Sequence, residues 1–290
     1  MTSRPTSAKD AMLRVAVPNK GILSEAATDM LSEAGYSTRR GSKTLVHRDE
    51  TNGVEFFYLR PRDIAVYVGS GILDAGITGR DLLLESQAPA EEVVGLGFGS
   101  SRFFYAGEAG RFSSVDELAG LRIATSFPHL VQSDLKARGI EATTVQLDGA
   151  IEVSIQLGVA DAVADVVETG STLRAAGLET FGEPLLDSEA VLVQRDGADS
   201  SVEVLRRRLE SVMVARQYVL VDYNIEERLV PEAIALTPGL ESPTVSPLQE
   251  TGWVAVRVMV EAKDVNNVMD RLYAVGARAI LVTSIGACRI

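Results

Sequence analysis

Two stretches decide how this chain is read: GILDAGITGRDLL (Gly71–Leu83) and GVADAVADVVETGSTL (Gly158–Leu173). Each carries Gly-x-x-Asp-Ala, then an apolar strand-like run, then a Gly-containing turn into helix-like sequence. Two equivalent α/β lobes with a cleft between their loops would produce such an echo, although so short a pattern also arises by chance. The second stretch adds a chemical question. Its apolar run holds Asp161 and Asp165 and opens into the small polar turn Thr169-Gly170-Ser171-Thr172, in a chain of formal net charge −12.

Working outward, strand-like and helix-like segments alternate. Leu13–Val17 and Val54–Leu59 read as buried strands, each followed by helical sequence: 21–35, opened by Gly21 and stopped by Gly35, and 60–71, with Pro61 in the first turn. Residues 73–78 read as a strand, and Ser114-Val115-Asp116-Glu117 as a capping box before a short helix. Residues 121–125 and 142–147 read as strands, 130–139 and 149–158 as helices ending in glycine. This βαβα rhythm predicts parallel sheets covered by helices, with ligands beyond the C-terminal strand ends. From Ser201 the texture changes. An amphipathic helix (201–217) precedes a strand (218–225), a helix bent near Pro231, a Pro-rich turn (237–248), a strand (253–263), a helix capped by Asp264 and stopped by Gly276, and a last strand. If 242–246 also pairs as a strand, the order is βαββαβ, the ferredoxin-like pattern.

Composition bounds the function. With 40 Asp+Glu against 28 Lys+Arg, broad nucleic-acid binding is disfavoured. No apolar run is long enough to span a bilayer. The polar N-terminus lacks a signal-like apolar core, and the single cysteine, Cys288, fits a reducing compartment, so a cytoplasmic protein is expected. Residues 1–11 read as a disordered lead-in, with Met12 starting the folded part. Two histidines, His47 and His129, and one cysteine make no zinc cluster, and neither a Walker A loop nor a G-x-S-x-G elbow is present.

Two strand-to-helix turns could hold an anion. At Thr169–Thr172, a glycine turn feeding a helix leaves N–H groups unsatisfied, and the helix dipole and the hydroxyls of Thr169, Ser171 and Thr172 add to them. The same pattern also suits an ordinary helix N-cap. Asp165 and Glu168 lie just before this turn. Carboxylates beside an anion site are costly unless a cation or a ribose diol lies between, the arrangement of ribose-phosphate recognition. Asp161, at the strand entrance, reads as structural. The second turn is Pro18-Asn19-Lys20-Gly21, where Lys20 either holds a phosphate or sits in solvent. Arg60 at a strand end is the better cleft candidate and Arg62 the surface one. Gly79, Arg80 and Asp81 mark the matching turn of the first lobe, and Gly97–Ser101 a crossover between lobes.

Glu152–Leu173 resembles the signature of the ATP phosphoribosyltransferase family, at Glu152, Gly158, Ala160, Val163, Asp165, Val166, Thr169, Gly170, Thr172 and Leu173. VPNKGIL (17–23), residues 60–83, LRIATSFP (121–128), LKARGI (135–140) and GLESPTVSPL (239–248) are similar to that family too, the last to its long form with a C-terminal regulatory domain. The resemblance implies a two-lobed, type II periplasmic-binding-protein-like α/β catalytic part and an ACT-like third domain. Lobe I would comprise 12–100 and 188–216, lobe II 101–187, and the regulatory domain 217–290. It further implies transfer of phosphoribosyl from phosphoribosyl pyrophosphate to ATP, Mg²⁺ held mainly through substrate phosphates, a dimer-to-hexamer homo-oligomer and inhibition by histidine. Asp165, Glu168, Thr169, Gly170, Ser171 and Thr172 would then bind phosphoribosyl pyrophosphate. Lys20, Gly21, Arg60, Gly79 and Asp81 would contact ATP or pyrophosphate, and Asn224, Leu240, Thr244 and Ala279 would bind histidine. The competing reading is a two-lobed small-ligand binding or sensing protein without catalysis.

Overall fold

A computed structural model describes residues 12–38, 44–167, 170–198 and 200–289. The expected lead-in, 1–11, lies outside the described residues. The chain forms two compact units, one comprising residues up to Arg206 apart from 33–35, the other 33–35 with Arg207–Ile290.

The first unit contains two sheets. The chain enters the first through β1 (Leu13–Pro18), α1 (Ile22–Glu33), β2 (Val46–Asp49), β3 (Val54–Leu59), α2 (Pro61–Gly69), β4 (Ala75–Gly79), α3 (Arg80–Ser86) and β5 (Ala90–Gly95). It then builds the second from β6 (Ser101–Glu108), β7 (Arg122–Thr125), α4 (Pro128–Arg138), β8 (Thr143–Gln146), α5 (Val153–Gln156), β9 (Ala162–Val167), α6 (Ser171–Ala175) and β10 (Leu178–Ser188). It returns through β11 (Ala190–Arg195) into the first sheet and leaves along α7 (Ser200–Gln217).

The sheet orders are β2-β3-β1-β4-β11-β5 and β10-β6-β9-β7-β8. Apart from the extra edge strand β2, they follow one plan. Three parallel strands lie side by side (β3-β1-β4; β8-β7-β9), an antiparallel strand pairs with the third (β11; β6), and an edge strand closes the sheet (β5; β10). In each sheet the antiparallel strand is the one on which the chain arrives from the other sheet. The echoed motifs fall on equivalent elements, β4 leading into α3 and β9 towards α6. The repeat in the sequence therefore has a structural counterpart.

Period-two apolar patterning gives each sheet a core. In the first, Val15, Ala16, Val17, Ile77 and Val191–Val193 are fully enclosed. In the second, one face of β9 (Ala162, Ala164) packs with Phe103, Tyr105, Ile123 and Val131. The other face (Val163) packs with Ala106, Ala124, Ile151 and Leu178. The helix expected over 149–158 shrinks to the single turn of α5. Gly149 (φ 98°) and Ala150 (φ 47°) both lie in the left-handed region, which cannot continue into a right-handed helix.

The second unit comprises β12 (Tyr218–Glu226), α8 (Val230–Leu236), β13 (Thr244–Pro247), β14 (Trp253–Glu261), α9 (Val265–Val275) and β15 (Arg278–Ser284). The element order is βαββαβ, and the antiparallel sheet runs β13-β14-β12-β15. Its core is a β-branched layer, Val221, Ile225, Val254, Val256 and Val258, closed by Ala233 of α8 and Leu272 of α9. Asp264 stands at the start of α9 but makes no side-chain cap, because a 3₁₀ turn at 262–264 already precedes the helix.

Gly76 shows how tightly the first core is filled. A Cβ there would lie 2.6 Å from Ile64 Cγ2 and 3.0 Å from the Ala16 Cβ. Gly76→Ala should destabilise the protein by about 1–3 kcal/mol through overpacking. A urea titration should show a lower midpoint at unchanged slope.

Candidate functional site

Parallel strands deliver their following loops to one edge, where the first amides of the next helix have no acceptor within it. In the first sheet that edge carries the ends of three parallel strands. Asn19, Lys20 and Gly21 follow β1, Arg60 follows β3, and Gly79 closes β4, with Asp81 one residue into α3. Lys20, Gly21 and Arg60 are exposed. Gly21 has φ 78° and Arg60 is the N-cap of α2, ahead of Pro61. All five candidates of this sheet thus sit at the ends of three neighbouring strands.

Asp81 is tied down. Its backbone N–H donates to Ser188 Oγ (3.1 Å), and the Ser188 hydroxyl donates to Asp81 Oδ1 (2.9 Å). A side chain at Gly79 would collide with this carboxylate, so the glycine makes room for it. Next to it, Arg80 donates to Glu92 (2.8 Å), to Glu189 Oε1 (3.0 Å) and to the Asp187 carbonyl (3.2 Å). The two carboxylates hold its guanidinium further towards the charged form. Glu189 also accepts from the Gly97 amide at 2.9 Å. Arg80 and Glu189 together therefore pin both segments by which the chain passes between the sheets. Sequence reading placed Arg80 at this turn with Gly79 and Asp81 but gave it no contact, because its partners Glu92 and Glu189 are distant in sequence.

A cavity of about 400 Å³ lies against this hinge, lined by Arg80, Ser100–Arg102, Val167 and Asp187–Glu189. It brings the C-terminal end of β4 and the C-terminal end of β9 into one space. An adjoining cavity of about 300 Å³ shares Arg102 and Val167 and extends to Gly170, Leu173 and Arg174. Arg102 itself lies over the Phe104 ring, 4–6 Å being the usual range of such cation–π contacts, here 5.3 Å.

Beyond β9 the turn takes the form its sequence suggests. Gly170 has φ 68° and serves as N-cap of α6. The Arg174 amide donates to the Gly170 carbonyl (3.1 Å) and the Ala176 amide to that of Thr172 (3.2 Å). Ser171 and Thr172 are exposed. The helix that follows is only Ser171–Ala175, so its macrodipole is small, and what the turn offers an anion is local N–H and hydroxyl donors. Glu168 and Thr169 lie outside the described residues.

The two aspartates of β9's stretch behave differently. Asp161 faces Arg122, accepting from its backbone N–H (3.0 Å) and from two guanidinium nitrogens (both 3.0 Å). These bonds hold its carboxyl down at about 2. Asp165 shares a strand face with Val163, and its partner across β6 is Phe104. Burial pushes its carboxyl up, the Val166 amide partly offsets this, and the negative charge of Glu152 pushes it up again. Sequence reading assigned Glu152 to the signature without a role. In the structure its negative charge is felt by Asp165. Among the described residues no cluster of three or more His, Cys, Asp or Glu side chains is placed to hold a metal ion. No described helix is long and apolar enough to cross a membrane.

In the second unit, Asn224 pairs with Ala255 and Arg278, and Ala279 (φ 48°) lies in the irregularity between the Asp222–Leu281 and Asn224–Arg278 pairs. Thr244 opens β13 opposite Arg257. Leu240 is half-buried in the preceding loop.

Comparison with known proteins accords with this geometry. Residues 60–213 match the family described as ATP phosphoribosyltransferase, and 215–287 match its C-terminal domain. An ATP phosphoribosyltransferase of Arthrobacter sp. (strain FB24) is 62% identical over 286 residues, covering 96% of this chain and 100% of that one. One from Streptomyces avermitilis is 57% identical over 285 residues, with the same coverage. Among solved structures, a chain of the ATP phosphoribosyl transferase (HisG:HisZ) complex from Thermotoga maritima is 27% identical with a TM-score of 0.60, covering 70% of this chain and 99% of that one. The chain belongs to the ATP phosphoribosyltransferase family, pentosyltransferases that open histidine biosynthesis.

The two aspartates should affect stability with opposite sign. The pKa of Asp161 is depressed on folding from an unfolded value of about 3.9. Its stabilisation is therefore present above that value and is lost as pH falls through about 2. The pKa of Asp165 is raised on folding, so its ionisation opposes folding at neutral pH. At pH 7, urea midpoints should fall for Asp161→Asn and rise for Asp165→Asn, and the Asp161→Asn deficit should shrink on acidification.

Proposed function

We propose, taking that family membership as the premise, that this chain joins N1 of the ATP adenine to C1 of phosphoribosyl pyrophosphate in the cleft at the hinge. Thr169, Gly170, Ser171 and Thr172 form the cradle for the 5-phosphate, and Asp165, with Glu168, takes the ribose hydroxyls. Lys20, Gly21, Arg60, Gly79 and Asp81 line the side that receives ATP or the departing pyrophosphate. The observation that carries this reading is the shared cavity, in which the strand end bearing the Arg80–Asp81 turn meets the one bearing the Gly170 turn.

The chemistry suits the residues. The N1 lone pair forms the new N–C bond while the C1–O bond breaks, and that electron pair leaves on pyrophosphate. Adenine N1 carries no proton to remove, so no general base is required. What the protein supplies is position and charge control around a ribose that becomes oxocarbenium-like. A ribose diol would give Asp165 donors beyond the Val166 amide, and a developing positive charge on the sugar favours having an acid nearby. Mg²⁺ bound through the substrate phosphates would neutralise the leaving pyrophosphate.

The domain organisation follows from the same reading: lobe I at 12–100 with 188–216, lobe II at 101–187, and a regulatory domain at 217–290. Two sheets of one plan, exchanging antiparallel strands at the crossings, support a type II periplasmic-binding-protein-like catalytic part. The βαββαβ order and the sheet order β13-β14-β12-β15 support a ferredoxin-like, ACT-like third domain. Histidine would bind there, at a subunit interface of a dimer or hexamer, near Asn224, Leu240, Thr244 and Ala279. It would act by shifting quaternary arrangement, not by competing in the cleft. The protein would work in the cytoplasm.

Mixing protein, ATP, Mg²⁺ and phosphoribosyl pyrophosphate should yield phosphoribosyl-ATP and pyrophosphate. No product from folded protein would favour a two-lobed binding or sensing protein. Thr172→Val removes a hydroxyl donor at an exposed position without changing shape. Phosphoribosyl pyrophosphate affinity should fall about 10–100-fold while stability stays within about 0.5 kcal/mol; equal losses in both would mark the turn as a plain N-cap. Histidine should inhibit the full chain and leave a soluble variant truncated before Tyr218 unaffected; inhibition of that variant would remove the regulatory assignment.

A further inference from the structure

Glu85, near the end of α3, is 7% exposed and takes no part in the proposed chemistry. Its carboxylate reaches across to the other sheet's first helix. Oε2 accepts from the Leu130 amide at 3.0 Å, in the first turn of α4. The N-cap of α4, Phe127, supplies no side-chain acceptor, so a carboxylate from the other lobe does that work. The next residue back, His129, adds to the same contact. Its Nδ1 lies 3.1 Å from the Glu85 carbonyl oxygen and 3.3 Å from Oε1. A carbonyl can only accept, so Nδ1 is the donor.

Two neighbours on the first lobe grip the same segment. Arg62 of α2 donates to the Ser126 carbonyl at 3.1 Å and lies over the Phe127 ring at 5.0 Å. Sequence reading put Arg62 on the surface; it is exposed, yet it bridges the lobes. Leu82, one turn before Glu85, packs into the second sheet's core with Phe103, Phe127 and Leu130. Ser126–Leu130 follows the C-terminal end of β7, the parallel strand beside β9. The contact therefore fixes the reactive edge of the second sheet against α2 and α3, which start at the reactive edge of the first.

We propose that Glu85, supported by Arg62, is a positioning residue. By capping α4 from the opposite lobe it sets the spacing between the side that holds phosphoribosyl pyrophosphate and the side that holds ATP. The proposal rests on the two-substrate reading above. Each substrate binds on its own side, so the latch governs their alignment and not the affinity of either. A misplacement of about 1 Å between reacting groups costs about 100-fold in rate.

The test compares Glu85→Ala, Glu85→Gln and the packing control Leu118→Ala, whose side chain is fully enclosed in the second core but belongs to neither α3 nor α4. Glu85→Ala should lower kcat about 100-fold at saturating ATP and phosphoribosyl pyrophosphate, with the dissociation constant of each alone changed less than about threefold. Glu85→Gln keeps an acceptor oxygen for the Leu130 amide and should recover most of that kcat. Leu118→Ala should lose stability and keep kcat. The proposal is overturned if Glu85→Ala retains wild-type kcat, if substrate affinities fall as much as kcat, or if Leu118→Ala loses kcat to the same degree. Should Glu85→Ala fail to fold, wild-type kcat in Glu85→Gln combined with fast exchange of its Leu130 amide overturns it equally. Hydrogen exchange at that amide separates the two readings. If wild-type protein makes no phosphoribosyl-ATP, the function is wrong, while slow wild-type exchange that becomes fast in Glu85→Ala still upholds the latch; unchanged exchange refutes it.

Discussion

The catalytic part depends on one pairing constraint. Each of its two sheets accepts the strand on which the chain arrives from the other, β6 beside β9 and β11 beside β4. Antiparallel pairing brings the crossings to the same edge as the C-terminal ends of β4 and β9. Arg80 then draws Glu92, Asp187 and Glu189 onto one guanidinium at that edge. A part-enclosed arginine with several acceptors is worth more than a surface pair because the geometry is multidentate and water is partly excluded. The cavity at the hinge follows from this arrangement.

A cradle for an anion in a chain of net charge −12 is less paradoxical in three dimensions. In the cradle proposed at Gly170–Thr172, local amides and hydroxyls would do the work, and they need no net positive charge. The acids separate by their partners. Asp161 is satisfied within the protein by Arg122 and belongs to its stability. Asp165 is half-enclosed and repelled by Glu152, and its charged form is held at a cost.

The parallel strands and their glycine-stopped helices could be read directly from the sequence, since β1, β3, β4, β7 and β9 are short apolar runs with clear punctuation. The antiparallel strands of the first unit's two sheets could not. β5 contains Glu91 and Glu92 facing outward at a sheet edge, and β10 contains Gly182 and Pro184 with a bulge between Phe181 and Leu186. Their strand character comes from pairing, not from local pattern. Within the site, the turns and Asp165 were visible because strand-to-helix punctuation marks them. The contacts of Arg80, Glu85 and Arg62 were not, because they depend on Glu189, Leu130 and Ser126, distant in sequence. Single-sequence periodicity carries no record of such pairs.

The central claim is where the sugar phosphate sits. An experimental structure of this protein with phosphoribosyl pyrophosphate and Mg²⁺ tests it most directly. The account predicts the 5-phosphate within hydrogen-bond distance of the amides and hydroxyls at Gly170–Thr172, with the ribose hydroxyls donating to Asp165. A 5-phosphate seated instead at Lys20–Gly21, with Asp165 away from the ribose, would contradict it.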